Sequence, residues 1–294
     1  MTWFILALIA PLIWACVNLL DDHLLKNVFR SATFAAAISG ILGLLPAIYI
    51  YIVVRPEQPD LKYSLCAVAA GAITILFRYF YFKTLENDEP SVAVALNNLA
   101  PAIVPFLAFF ILKEQLAALQ YVGLAMMLFG SFVLAAVDIK NFRFTSAVWF
   151  ALYGAIVYAV VSIFAKYAYN GASFSGVFLW VSIGFGVGGL IAFVLHKDKK
   201  QFRILFTQRD KKIPLILLGD ELLEISGELV QGAAIHGGPV TVVRGLEGIQ
   251  PLYVLAIGII LSQFFPRYFR ERRDERFRKK VLCMIFMIVG LFMI

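Results

Sequence analysis

Residues 174–195, FSGVFLWVSIGFGVGGLIAFVL, contain no charged side chain, and stretches of this kind decide the fold. Ten such stretches, mostly apolar and each about 20 residues long, account for nearly all of the chain. A helix rises about 1.5 Å per residue, so about 20 residues cross a hydrocarbon core about 30 Å thick. Because the stretches do not alternate apolar with polar residues, they predict membrane-spanning helices rather than strands.

The composition agrees with a membrane protein and excludes a water-soluble one. Hydrophobic residues make up 61% of the chain and charged residues 15%, and the mean hydropathy is +0.84. Too few polar side chains remain to cover a soluble exterior, so lipid must surround most of the protein. We therefore predict one all-α integral membrane domain over residues 1–294. Its ten transmembrane helices are predicted at residues 3–20, 32–54, 65–85, 91–112, 116–137, 145–169, 174–195, 213–235, 240–264 and 281–294.

The basic residues are distributed unevenly between the two sides of the membrane. Of the 26 lysines and arginines, 20 lie in or beside the odd-numbered connections, with long runs at 197–212 and 267–280. The even-numbered connections hold four. Lysine and arginine near helix ends stay in the cytoplasm, so this distribution places the odd-numbered loops there and both termini outside. The net charge of +7 is thus a topology signal and does not indicate nucleic-acid binding.

The two halves of the chain share a short pattern. Residues 90–94, PSVAV, correspond to 239–243, PVTVV, and residues 99–101, LAP, correspond to 249–251, IQP. With five helices in each half, the second copy would enter the membrane in the opposite sense. The pattern predicts two inverted five-helix repeats, residues 1–140 and 141–294. Many secondary transporters use such repeats to build a site at the bilayer midplane.

The fourth and fifth segments carry a recognisable set of residues. These are Asn98, Pro101, Pro105, the turn KEQL at 113–116, Gly123 and Gly130. In this set the stretch 91–136 resembles the repeat of the EamA-type drug/metabolite transporter superfamily. The second half is similar but has no glutamate at the place of Glu114, and the basic stretch 265–280 replaces the corresponding turn.

The resemblance implies a secondary transporter of a small metabolite that works by alternating access. It also implies ten helices in two inverted repeats, and a multi-pass protein of a prokaryotic inner (plasma) membrane. In many relatives both ends face the cytoplasm, which is the opposite of the orientation that the basic residues favour. The expected partners are a small-molecule substrate, the lipid bilayer and, in one interpretation, protons. Family likeness does not identify the substrate.

The eighth segment contains four acidic residues within one short stretch. Spacings of three and four residues place Glu221, Glu224 and Glu228 on one face of a helix, with Asp220 at its flank. A carboxylate in a bilayer is costly unless it is paired or neutralised, and such residues mark ion paths or proton relays. The segment therefore contains the strongest functional signal in the chain.

Three further charged residues fall inside neighbouring segments. Arg78 lies in the third, and Arg244 and Glu247 lie in the ninth. In a purely structural interpretation, Arg244 pairs with Glu228 or Glu247 and only holds the helices together. Five acids against two bases leave three carboxylates without a basic partner. These must be protonated, hydrated or matched by a group that arrives from outside.

Two functional interpretations use this excess. A cationic substrate, such as an amine or the ammonium group of an amino acid, would neutralise it while bound. Alternatively, Asp220, Glu224 and Glu228 would carry protons and couple transport to a proton gradient. Both hold together if one carboxylate binds the substrate and a proton in turn.

We predict a midplane substrate site with aromatic and amide side chains around the acids. The predicted substrate-binding residues are Glu221, Glu224, Glu228, Arg244, Glu247, Asn97, Asn98, Trp14, Asn18, Tyr158 and Tyr253, with Arg78 modulating the site and Trp149 and Tyr153 as further candidates for its wall. Pro101, Pro105 and Pro251 interrupt helical hydrogen bonding and are the predicted hinges.

Two other classes of protein remain as alternatives. A lipid-carrier or sugar-lipid flippase would use the two basic runs at the membrane surface. An intramembrane enzyme would hold Mg²⁺ between Asp220, Glu224 and Glu228. Such an enzyme needs a second acidic cluster, and we expect Asp21 and Asp22 at the cytoplasmic edge rather than beside the first. We therefore predict a transporter with no cofactor and no metal.

Overall fold

A computed structural model describes residues 2–29, 31–87, 99–136, 146–197, 212–254, 256–257 and 275–294. The regular secondary structure in these ranges is helical, which confirms the predicted all-α class for this part of the chain. The helices are α1 (Thr2–Leu24), α2 (Ala32–Leu42), α3 (Leu45–Tyr49), α4 (Leu61–Asn87), α5 (Ala100–Leu107), α6 (Ala118–Ala136), α7 (Ser146–Gly171), α8 (Phe174–Leu195), α9 (Lys212–Gly237), α10 (Val240–Leu246) and α11 (Glu275–Phe292).

Within the described ranges, four helical stretches are long and apolar enough to cross a membrane. They are Ala32–Val54, Leu61–Glu86, Val148–Gly171 and Phe174–Leu195. Shorter apolar helices cover Thr2–Asn18, Ala100–Leu112, Ala118–Val133 and Leu282–Phe292. The helix α9 has a suitable length, but its four acidic residues set it apart from the apolar spans. The total of ten spanning helices stays a prediction.

The exterior of the bundle is apolar. On α8, for example, Val194 and Leu195 are 70% and 69% exposed, and Phe106 and Phe110 are similarly exposed on the stretch that begins with α5. Side chains of this kind form contiguous outward-facing surfaces that water would not tolerate. Lipid is therefore the solvent for this part of the surface, as the composition predicts.

Hydrogen bonds connect the turn after α5 with the start of α10 at one end of the bundle. The stretch that begins with α5 ends in a π-helical turn, Ala108–Leu112, and Lys113 then has a left-handed backbone with φ of 57°. The next residue, Glu114, accepts hydrogen bonds from the backbone N–H of Thr241 at 3.3 Å and from its hydroxyl at 3.0 Å. Burial raises the pKa of the Glu114 carboxyl, and the Thr241 hydrogen bonds oppose this effect. The turn thus caps the first residues of α10.

Glycine allows α8 to approach its neighbours closely. A Cβ atom placed on Gly189 would lie only 2.6 Å from the carbonyl carbon of Gly40 in α2. A Cβ atom on Gly184 would overlap the carbonyl oxygen of Val68 in α4. At both points backbone meets backbone, so a side chain there has no room.

We expect Gly184→Ala to lower the stability of the folded protein by about 1–3 kcal/mol, because the new methyl group forces α8 away from α4. The measurement is thermal unfolding of the detergent-purified protein. The matched control is Gly219→Ala in α9, where an added Cβ has no atom of the described structure within 4 Å. That change should be neutral or stabilise the helix by up to about 1 kcal/mol. Equal melting temperatures for the two variants would contradict the predicted close contact.

Candidate functional site

The helices α1 and α9 pack against each other in antiparallel orientation. Near one end, the ring of Trp3 occupies the space in which Gly238 would carry a side chain. Further along, the ring of Trp14 lies 3.2 Å from the Cβ position of Gly227. In the same register, Asp21 falls opposite Asp220 towards the other end of the pair. The polar residues of α1 therefore face the acidic residues of α9.

A cavity lies beside this helix pair, bounded by α1, α4, α7, α9 and the segment that follows α10. It contains about 730 Å³ of empty space, part of which is open to the outside. Its wall is formed by Trp14, Val17, Asn18, Asp21, Thr74, Phe77, Arg78, Tyr81, Tyr158, Glu224, Glu228, Glu247 and Gln250.

One charged cluster in the cavity wall is centred on Arg78. Its guanidinium forms an ion pair with Glu224, and the two side chains are only 8% and 7% exposed. The same guanidinium donates a hydrogen bond to the Ser39 hydroxyl at 3.2 Å. Ser39 in turn donates to a carboxylate oxygen of Glu221 at 3.0 Å. Arg78 on α4 is thereby held to α9 directly and also through α2.

A second charged cluster is centred on Arg244. Its Nη1 atom lies 2.6 Å from a carboxylate oxygen of Glu247. The guanidinium carbon also lies 4.2 Å from the ring centre of Tyr158, whose hydroxyl donates to Glu247 at 3.2 Å. Gln231 donates a further hydrogen bond to Glu247 and accepts one from the indole N–H of Trp14 at 2.7 Å. Glu247 is thus fixed by helices α1, α7 and α9 as well as by its own arginine.

The two arginines that are buried among the described residues both form ion pairs in these clusters. Further acidic groups remain without an ion pair there. Among the described residues Glu228 forms no ion pair, although it lines the cavity. One carboxylate oxygen of Asp220 is buried without a hydrogen-bond partner in the described part of the chain. Among the described side chains, six carboxylates but only two guanidinium groups line this cavity and a smaller one next to it or lie buried beside them. They are Asp21, Asp220, Glu221, Glu224, Glu228 and Glu247 against Arg78 and Arg244. Negative charge therefore exceeds positive charge here.

A smaller cavity, with about 330 Å³ of empty space that is partly open to the outside, lies on the other side of the Arg78 ion pair, towards α2 and α8. Ser39, Phe178, Ser182 and Phe185 contribute to its wall. The side chains Glu221, Glu224 and Glu228 all reach it, so the three glutamates do share one face of α9. Arg78, Glu224 and Glu228 belong to the walls of both cavities. This group of three separates the larger space from the smaller one.

The structure brings together most of the residues predicted for the site. Trp14, Asn18, Arg78, Tyr158, Glu224, Glu228 and Glu247 line the larger cavity, Glu221 lines the smaller one, and Asp220 and Arg244 are buried beside them. The hinge candidates lie elsewhere: Pro101 is in the first turn of α5, Pro105 is inside that helix, and Pro251 follows the 3₁₀ turn Glu247–Ile249. Asn97 and Asn98 lie outside the described residues.

Three predicted wall residues are not in the wall. Trp149 and Tyr153 are 55% and 51% exposed on the outside of α7, so the prediction that they face a cavity is wrong. Tyr253 is partly buried against the hydrophobic core and lines neither of the two cavities. Outward aromatic rings on a membrane helix contact lipid and need no polar partner.

The prediction for Asp21 is also wrong. It is not at the edge of the bundle but is only 3% exposed, lines the larger cavity and faces the acids of α9. Sequence reasoning also missed Thr74, Tyr81 and Gln250 in the wall. The spacing of three residues between Asn18 and Asp21 was the available signal, since it places both on one face of α1. In the part of the chain that the structure describes, no group of three His, Cys, Asp or Glu residues is arranged to hold a metal ion.

Comparison with known proteins agrees with the resemblance noted in the sequence. Residues 1–136 match the EamA-like transporter family. The uncharacterized transporter YxxF of Bacillus subtilis (strain 168) is 22% identical over 194 residues. That alignment covers 63% of this chain and 60% of the relative's own length. A solved structure, described only as the crystal structure of a protein, superposes with a TM-score of 0.72 over 99% of this chain and 96% of its own, at 14% identity. The latter shows a shared fold.

Proposed function

We propose that this chain, whose residues 1–136 match the EamA-like transporter family, is a secondary transporter of a small organic cation, such as an amine or an amino acid. The observation that carries the proposal is that six carboxylates, against two guanidinium groups, line the two cavities or lie buried beside them among the described residues. Buried negative charge of this size must be neutralised by protons or by a positively charged ligand. A cation that enters the cavity would supply this neutralisation.

The position of the cavity supports transport. Glu224 lies at the middle of the 26-residue helix α9, so its carboxylate is about halfway across the bilayer. Substrate sites of secondary transporters lie at this depth, between the two halves of the protein. We propose alternating access between two inverted five-helix repeats, residues 1–140 and 141–294, with the odd-numbered loops in the cytoplasm.

The aromatic side chains of the wall support a cationic substrate. The Tyr158 ring already contacts Phe77 and the Arg244 guanidinium, but Trp14 and Tyr81 lie in the same wall. The faces of aromatic rings attract ammonium groups, most strongly where water is excluded. Carboxylates and ring faces together are the surroundings that a protonated amine prefers.

Proton coupling follows from the same carboxylates. We propose that Glu228, which has no ion pair among the described residues, binds the ammonium group in one step and a proton in another. Glu224 and Asp220 are the further candidates for proton binding. A cation would then move in one direction while a proton moves in the other.

The test is uptake of radiolabelled solutes into proteoliposomes, screened over amines, amino acids and sugars with and without a pH gradient. We expect an amine or a cationic amino acid to accumulate, and to accumulate faster when the vesicle interior is acidic, since exchange for protons is then downhill. Vesicles without protein provide the background. Uptake confined to sugars or anions would overturn the proposal.

A further inference from the structure

We propose that the larger cavity selects a linear dication, a diamine with one ammonium group at each end, over a monoamine of the same length. The inference rests on the proposed cation transport and names the substrate class of the same site. Its basis is the presence of acidic groups at two separate levels of one cavity. Asp21 marks one level and Glu228 marks the other.

The distance between the levels follows from the packing of α1 on α9. The contacts Trp3–Gly238 and Trp14–Gly227 set an antiparallel register in which Asp21 falls at the level of Asp220. Asp220 and Glu228 are eight residues apart, which is about 12 Å along the helix axis, and Trp14 and Asp21 are about 10 Å apart. Two carboxylates separated by about 10 Å along one cavity match the two ends of an extended diamine.

Each level keeps negative charge after the described ion pairs are counted. At the first level Asp21 lies with Asp220 and Glu221, and one oxygen of Asp220 is buried without a hydrogen-bond partner among the described residues. At the second level Arg244 is engaged by Glu247, and this leaves Glu228. A single ammonium group would neutralise only one of the two levels. A second ammonium group at the other level adds a favourable pairing of charges that water screens poorly.

The wall between the two levels suits methylene groups. Tyr158 stacks on Phe77, and Phe77 stacks on Tyr81 with ring centres 6.4 Å apart. The Tyr81 hydroxyl reaches Asn18, one turn of α1 before Asp21, with a hydrogen bond of 3.0 Å. A continuous aromatic wall therefore connects the Glu247 end of the cavity with the Asp21 end. An alkyl chain along this wall would bury apolar surface without leaving polar groups unpaired.

Arg78 disfavours a third positive charge in the middle. It pairs with Glu224, which is four residues from both Asp220 and Glu228, so the guanidinium lies between the two levels. An ammonium group in the centre of the ligand would lie near this fixed positive charge and be repelled. The arrangement thus fits a diamine with an uncharged centre better than a triamine.

The experiment compares 1,6-diaminohexane with hexylamine by isothermal titration calorimetry of the detergent-purified protein. The two ligands share one carbon chain and differ in a single ammonium group. We expect the diamine to bind at least about tenfold more tightly. Spermidine, with its central amine, should bind more weakly than the diamine.

The variant Asp21→Asn should lower the affinity for the diamine more than the affinity for hexylamine and so reduce the preference, because it weakens one of the two acidic levels. Asp21→Ser tests the same charge if the asparagine variant does not fold. The matched control is Asp60→Asn, which makes the same chemical change at an exposed position outside the cavity and should keep the preference. The inference would be overturned, without affecting the proposed function, by either of two results. One is equal affinity of the wild type for the diamine and for hexylamine, and the other is an equal loss of affinity for both ligands in Asp21→Asn. Absence of binding by every amine would overturn the proposed function as well.

Discussion

Replacing Arg78 with glutamine is expected to destabilise the folded protein by about 3–5 kcal/mol, because it removes one member of a buried ion pair and leaves the other charged. The guanidinium forms an ion pair with the Glu224 carboxylate and donates a hydrogen bond to the Ser39 hydroxyl. That hydroxyl donates in turn to Glu221. Asp21 and Asp220 lie within reach of its charge as well. Without Arg78, this end of the cavity would hold acidic groups and no base among the described side chains. Thermal unfolding of the detergent-purified variant measures the loss.

Two further variants make this prediction specific. The double variant Arg78→Gln with Glu224→Gln removes both members of the pair, so we expect it to regain part of the lost stability. Lys83→Gln breaks the ion pair with Glu86 on the same helix, where both side chains are partly exposed. That change should cost less than about 1 kcal/mol. If Arg78→Gln unfolds at the wild-type temperature, the buried pair does not support the fold.

The second large effect is on transport. We expect Glu224→Gln and Glu228→Gln each to reduce solute uptake into proteoliposomes to the level of protein-free vesicles, because each change removes a negative charge that the cation or the proton needs. Both variants should remain folded and extractable, since glutamine has nearly the same shape and the site holds an excess of acids. Glu57→Gln, at an exposed position outside both cavities, serves as the control and should transport normally. Wild-type uptake in both α9 variants would remove these residues from the mechanism.

The helices could be predicted from the sequence because continuous apolar stretches of this length leave few alternatives in lipid. The predicted segment 174–195 coincides with α8 at both ends. The prediction that the acids of α9 share one face likewise followed from helical spacing. Tyr153 and Tyr158 are five residues apart, so they lie on different sides of α7. Helical spacing therefore predicts that only one of the two tyrosines faces the cavity.

The pairing of Arg244 with Glu247 was among the alternatives that the sequence offered, but the partner of Arg78 was not accessible in the same way. Which guanidinium meets which carboxylate depends on how α4, α9 and α10 pack, and a single sequence does not contain that arrangement. Asp21 illustrates the cause. The apolar stretch ends at residue 20, and a polar residue after it normally faces water. The structure continues α1 to Leu24 and lays its last turns against α9, so the same residue is buried.

The length of α4 has a consequence for how the bundle sits in its membrane. With 27 residues the helix is about 40 Å long, about 10 Å more than the hydrocarbon layer. It must either tilt from the membrane normal or extend its ends beyond the acyl chains. The ion pair between Lys83 and Glu86, 2.5 Å long and partly exposed, lies in its final turns. We expect these charges to lie among the lipid headgroups and so to limit how deeply this end of α4 enters the hydrocarbon layer.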